Sequence, residues 1–182
     1  MNPDELVDVV DENGAVISNV SKRKAHEQGL LHKTVIGEIV DTEGRWLMIR
    51  QSSDRQDAGQ YVSPVGGHVQ SGESDETALR REAEEEVGLQ GEFTYELIGK
   101  AIFNRSVLGR HENHLFVMYK IFSDVEPVLN HESESYRYFT EQELKEELNL
   151  HPESFGGAFH FVVDSFFPAL RSVESHHNTS TY

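Results

Sequence analysis

Residues 67–89 read GHVQSGESDETALRREAEEEVGL, and their spacing is one that an ordinary acidic helix has no reason to keep. Gly67 is followed by Glu73, then by the pair Arg81-Glu82, the pair Glu85-Glu86 and a closing Gly88-Leu89. Ser74 offers a side-chain oxygen to the free N–H groups that open a helix, and Asp75 and Glu76 put negative charge in the first turn, where the helix dipole favours it. Gly88 supplies the stop. Leu79, Ala83 and Val87 recur every four residues, so one stripe packs inward. Glu82, Glu85 and Glu86 fall at i, i+3 and i+4 and crowd a neighbouring face. Like charges that close raise one another's pKa. A hard divalent cation such as Mg2+, which takes carboxylate, carbonyl and water oxygens beside substrate phosphate, removes the conflict. The stretch reads as half of a metal-phosphate site; the alternative is a Glu-rich helix that solvates one face.

These residues resemble the Nudix box, G-x5-E-x7-R-E-U-x-E-E-x-G-U with U aliphatic, at Gly67, Glu73, Arg81, Glu82, Ala83, Glu85, Glu86, Gly88 and Leu89. Ala83 is small for its position, which bears on packing and not on chemistry. The resemblance implies an α/β fold, an α/β/α sandwich with a mixed sheet. It also implies a loop-helix-loop that holds Mg2+, or Mn2+ in its place, through Glu82, Glu85, Glu86 and the carbonyl of Gly66 or Gly67. The expected activity is hydrolysis of a diphosphate linkage in a nucleoside diphosphate joined to another group, X. Glu85, Glu86 and Arg81 form the expected catalytic set, with Arg81 orienting the carboxylates by pairing with Glu85 or Glu73. A Glu outside the box takes the proton of the attacking water: Glu134 or Glu132 in NHESES, with Glu112 third.

Composition bounds the rest. With 182 residues the chain suits one well-cored domain, expected over 1–172, with an N-terminal hairpin in 1–20 and a flexible tail at 173–182. Sixteen Lys and Arg against 32 Asp and Glu give a net charge of -16, which repels nucleic acid and anionic membranes. The expected partner is a small-molecule diphosphate, with no polymeric nucleic acid and no membrane. The absence of cysteine excludes disulfides, thiolate zinc sites and thiol nucleophiles. No apolar run reaches the ~18 residues of a membrane span, and no signal peptide is read, so a cytoplasmic location is expected. A homodimer is the general expectation for a small enzyme.

In chain order, 5–10 and 15–17 read as strands around a turn at 11–14, followed by a basic cluster at Lys22, Arg23 and Lys24. That cluster is either a solvated helix start or a landing place for an anionic substrate. Strands follow at 34–40 and 46–50. The polar loop QSSDRQDAGQ comes next, where Arg50 and Arg55 are candidate substrate-binding residues. Past the box, 95–103 and 113–122 read as long strands with a turn at Gly109, and 136–139 as a short one. Thr140 and Glu143 form a capping box, and 155–170 reads as a packed terminal helix.

A second resemblance runs from about residue 5 to residue 165. VDVVDENG, AHEQGLLHK, GGHVQSGES and FTEQEL are similar to the branch that contains type I isopentenyl diphosphate isomerases. It implies a competing activity on a prenyl diphosphate, in which a cysteine just before the box Gly and a Glu on a later strand move protons. Here those positions are Gly66 and His114, and Gly66 can move no proton. A non-catalytic nucleotide-binding domain is the third reading, and no box Glu is missing to support it. The branch also implies a second metal, held by histidines ahead of the first core strand, the His after the box Gly and two carboxylates on the later strand. The matching set is His32, His68, Glu112 and His114, with Zn2+ or Mn2+ as the ion. His26 stands one residue closer to His32 than in the isomerases and falls outside the set. Surface histidines are the alternative.

Overall fold

The computed structural model describes residues 5–107 and 109–171; the expected tail at 173–182 lies outside them. The central element is the strand β3, His32–Val40. Its residues alternate between two buried faces: Val35 and Ile39 enter one core cluster, and Ile36 and Val40 enter clusters on the other side. A strand covered on both faces has to be the middle layer of a sandwich.

Around it lies a nine-stranded mixed sheet. The hairpin β1 (Leu6–Val10) and β2 (Val16–Ser21) pairs with the start of β3. Next come β4 (Trp46–Gln51), the short β5 (Tyr61–Val62) and β6 (Val65–His68), which pairs antiparallel with β3. The long strands β7 (Thr94–Val107) and β8 (Arg110–Phe122) form a hairpin. β8 runs parallel to β3, in register from His32 opposite His114 to Val40 opposite Phe122. Finally β9, Ser133–Phe139, pairs with β4. β9 starts earlier than the sequence pattern suggests and takes in half of the segment NHESES.

Helix α1, Lys22–Gln28, opens on Ser21 and stops at Gly29, whose φ of 62 needs a residue without a Cβ. Helix α2, Asp75–Val87, is the helix of the box. Ser74 accepts from Thr77 N at 3.1 Å, and Gly88 ends the helix at φ 70. Leu79, Ala83 and Val87 are fully buried against the sheet, and a side chain the size of Leu79 contributes roughly 1.5–3 kcal/mol when so buried. Helix α3, Glu141–Leu150, opens on the capping box, with Glu143 N on Thr140 Oγ1 at 3.2 Å and Thr140 N on Glu143 Oε2 at 2.7 Å. The expected single helix over 155–170 is corrected: α4 spans Gly157–Phe166, between 3-10 turns at Pro152–Ser154 and Pro168–Arg171. Phe155 is extended because its backbone bridges to Tyr61, and Pro168 has no N–H with which to continue the helix.

Helix α2 sits close to the sheet because β3 carries Gly37 beneath it. A Cβ there would meet Ile121 Cδ1 at 2.9 Å, Val65 Cβ at 3.1 Å and Leu79 Cδ1 at 3.3 Å. Gly37→Val is therefore expected to destabilise the fold by about 1–3 kcal/mol through overpacking, read as a lower midpoint in denaturant melts. A midpoint equal to that of the parent would show that α2 does not rest on this strand.

Candidate functional site

The turn from β6 into α2 builds the site. Gly67 is the position at which α2 approaches the sheet backbone, since a Cβ there would coincide with the Glu82 carboxylate. Arg81 locks the turn to the helix. It donates to both carboxylate oxygens of Glu73 at 3.0 and 2.9 Å, to His68 O at 3.0 Å and to Glu82 Oε1 at 2.6 Å. Its distance to Glu85 is 3.7 Å. Both expected partners are therefore within ion-pair distance, Glu73 through two hydrogen bonds and Glu85 more loosely, with Glu82 as a further partner that spacing alone did not suggest.

Glu82, Glu85 and Glu86 line one cleft of about 610 Å3, with Gly66, Gly67, His68 and Lys22 on its other walls. Burial raises the Glu82 carboxyl to about 7 against the opposing pull of Arg81, and Glu85 and Glu86 push it further up. Burial likewise raises Glu86 to about 7, helped by the charges of Glu132 and Glu85. A site with two carboxyls held near neutrality in this way fits a divalent cation, because the ion supplies the charge that lets both ionise.

The residues expected outside the box separate. Glu132 lines the cleft beside Asn130; Asn130 Nδ2 donates to Glu86 Oε2 at 3.2 Å, and Arg55 Nη2 pairs with Glu132 at 2.9 Å. Arg55 therefore reaches the site through Glu132. Glu134, ranked first from sequence, stands on β9 with its side chain 60% exposed and 3.9 Å from Arg50; neither it nor Arg50 lines the cleft. Arg50 donates to Gly59 O at 3.0 Å instead. Lys22 is buried and paired with Glu5 at 3.3 Å, so it is no solvated helix start. Nothing in the sequence marked Asn130; Lys22 was visible only as one of three basic residues.

The histidines are not at the surface. One ring nitrogen from each of His26, His32, His68 and His114 lies within 4.8 Å of the others. The register that sets His32 beside His114 and Thr34 beside His68 places three of them, and α1 delivers His26. His26 Nε2 stands 3.3 Å from His114 Nε2 and 3.2 Å from His68 Nε2. His32 Nδ1 meets the carbonyl of Leu30 at 2.7 Å, so Nδ1 carries the proton and Nε2 a lone pair. That Nε2 is buried with no partner among the described residues. Burial lowers the His32 pKa to about 4, lowers His26 and takes His68 and His114 well below the usual range. Four neutral imidazoles around a lone pair with no donor to meet it form a set suited to a late divalent metal. The expected set gains one member. His26 belongs to the cluster, and Glu112, close enough for its charge to act on His26 and His32, has one carboxylate oxygen held by Arg105 Nε at 2.6 Å.

Comparison with known proteins bears on the chain as a whole. A family profile described as the NUDIX domain matches residues 30–159. An isopentenyl-diphosphate Delta-isomerase of Serratia proteamaculans is 30% identical over 157 residues, covering 84% of this chain and 86% of that protein. A Nudix hydrolase of Streptomyces coelicolor is 39% identical over 89 residues, 48% of this chain and 49% of that one. Among solved structures, DR0079 from Deinococcus radiodurans superposes with a TM-score of 0.70 at 23% identity, covering 90% of this chain and 99% of that one. The MutT protein from Methanosarcina mazei Go1 does so with a TM-score of 0.59 at 20% identity, covering 78% and 93%. At those identities the structural matches show the shared fold.

The raised carboxyls give a signed pH expectation. In the metal-free protein Glu82 and Glu86 keep protons up to about pH 7, whereas a carboxylate that holds a cation is ionised. Mg2+ uptake near pH 6.5 should therefore release protons, and the release should fade by about pH 8.5. Calorimetry in two buffers of different ionisation heat measures this; release that is absent at the lower pH would contradict the assignment.

Proposed function

Because the chain belongs to the NUDIX domain family, we propose that it hydrolyses a diphosphate linkage in a nucleoside diphosphate joined to a further group X, with Mg2+ as the cofactor. The observation that carries this reading is the convergence of Glu82, Glu85 and Glu86 on one cleft wall, two of them raised to about 7, against the backbone of Gly67. Glu82, Glu85, Glu86 and the Gly67 carbonyl would hold the ion. When bound, Mg2+ neutralises phosphoryl oxygens and lowers the pKa of an attacking water. Arg81 keeps Glu82 and Glu73 in place and so fixes the ligand geometry. Lys22 lines the same cleft, paired with Glu5, and offers an ammonium to a diphosphate. Glu132 replaces Glu134 as the group that takes the water's proton: it lines the cleft with Glu86, Arg55 holds its carboxylate, and Asn130 Oδ1 accepts from its backbone N–H.

The similarity to isomerases supports a second reading, proton transfer on a prenyl diphosphate in the same cleft. It is opposed by Gly66, which has no side chain with which to hold a proton, and by His114, whose ring nitrogen is turned into the histidine cluster.

His26, His32, His68 and His114 are proposed as a second metal centre. An all-nitrogen set without a carboxylate favours zinc over manganese, and four protein ligands make a closed, structural site that ties α1 to the sheet.

Glu86→Gln is expected to lower the hydrolytic rate at least about a hundredfold while the protein melts as cooperatively as the parent; undiminished turnover would refute the site. Protein purified without a histidine tag should carry about one zinc per chain, and His32→Ala should lose it. Elemental analysis that finds neither zinc nor manganese would remove the second centre.

A further inference from the structure

A second cavity, of about 220 Å3, opens beside the cleft and shares Gly66, Glu86 and Glu132 with it. Its volume corresponds to roughly seven water molecules' share of liquid, room for one ring or a short branched group. Ile36, Ile49, Val62, Phe159 and Val162 form apolar walls between β3, β4 and α4. The polar lining comes from Gln51, Asp57, Ser63 and Ser133 together with the two shared carboxylates, and no lysine or arginine lines it among the described residues.

The wall conceals a further polar group. Glu38 lies on β3 between Ile36 and Val40, fully buried. One of its oxygens accepts from Ser63 Oγ, and the other has no partner among the described residues. The nearest cation along the sheet, Lys120, is in register with Glu38 but directs its Nζ over the rings of Trp46 and Phe122. Burial raises the Glu38 carboxyl to about 7, against the Ser63 bond. A carboxyl placed in an apolar layer with half its bonding capacity unused is costly, so packing gives no reason for it. Its visible effect is on Ser63. The Ser63 proton is committed to Glu38, and the lone pairs of the hydroxyl are left for whatever enters the cavity. Asp57 and Glu132 add acceptors, although Glu132 is already paired with Arg55 at 2.9 Å and Asp57 lies 3.9 Å from Arg105. An anion would meet these carboxylates with no cation in the lining itself, and a purely aliphatic group would leave the Ser63 lone pairs without a donor.

We propose that this cavity is the subsite for one of the groups flanking the diphosphate, and that it takes a compact, unphosphorylated group with an apolar body and N–H or O–H donors. Ser63, backed by Glu38, is its specificity-determining hydroxyl. The inference rests on the hydrolase reading only in seating the diphosphate in the adjoining cleft. An amino-bearing base and a hydroxylated sugar both supply this chemistry.

Calorimetric binding in Mg2+ of CDP, UDP and dimethylallyl diphosphate tests it, because the three share a diphosphate and differ in donors. CDP is expected to bind at least about tenfold tighter than dimethylallyl diphosphate. A preference for CDP over UDP assigns the donor to the ring amino group, a preference for UDP assigns it to the ring imide N–H, and equal binding of the two assigns it to the sugar hydroxyls that they share. Dimethylallyl diphosphate binding as tightly as the nucleotides overturns the proposal. Ser63→Ala should bring the preference to within about twofold, and Ala158→Phe, which plugs the cavity, should abolish it; melting curves confirm that both variants fold. Full preference retained in either variant overturns the assignment. Binding is read without turnover. Selective binding with no cleavage would therefore sink the hydrolase reading alone, and cleavage of all diphosphates with equal efficiency would sink the subsite alone.

Discussion

Glu82, Glu85 and Glu86 share one helix face, and the guanidinium that touches Glu82 is already held by Glu73. Arg81 therefore fixes the carboxylates without neutralising them, and two of the three are raised to about 7. The fold holds this conflict in place through backbone and not through side chains: Gly67 lets the Glu82 carboxylate lie against β6, and Gly37 lets α2 lie against β3. Had either carried a Cβ, the helix would stand off the sheet and the carboxylates would relax into solvent, where their mutual repulsion is screened and their affinity for an ion falls with it.

The same strand organises both sides of the molecule. Val35, Gly37 and Ile39 face α2, while Ile36, Glu38 and Val40 lie on the side of α4 and the second cavity, and Thr34, on that same side, lines the acidic cleft. At its start, His32 meets His114 across the parallel pairing of β3 with β8. The acidic helix α2, the histidine cluster and the second cavity therefore depend on the register of a single nine-residue strand. A slip of one residue would move every side chain to the opposite face.

What could be read from the sequence was local. The spacing of Glu82, Glu85 and Glu86, the Ser74 cap, the Gly88 stop and the Thr140–Glu143 capping box are all set within one or two helical turns, and the structure shows each as the spacing implies. With the resemblance they were enough for the sandwich and for the NUDIX family. What escaped was set by distant pairing. His26 enters the histidine cluster because of where α1 packs against β8, which its distance from His32 in sequence does not express. Glu112 has a partner in Arg105, from the opposite strand of a hairpin, that the spacing of the sequence does not show. Glu132 and Glu134 are equivalent in composition; only the pairing of β9 with β4 shows that Glu134 is turned toward Arg50, while Glu132 remains in the loop beside Glu86. Glu38 read as an ordinary polar position in a strand, and its isolation appears only once α4 covers it.

Gly66 connects these parts. The resemblance to isomerases sets a proton-moving cysteine at this position, and packing does not forbid one: a Cβ at residue 66 would meet Ile36 Cδ1 at an ordinary 3.4 Å and Val35 O at 4.0 Å. Nor does its backbone require glycine, since it is not among the positive-φ glycines. The reason for the missing side chain is therefore to be sought in the space it leaves. Gly66 lines both the acidic cleft and the acceptor-lined cavity. A side chain there would stand where the two meet, between the place for a diphosphate and the place for the group attached to it. An enzyme that shifts a double bond needs a proton carrier at that junction. A hydrolase that cuts between phosphates needs no acid there, and it gains a passage through which a larger flanking group can reach its subsite.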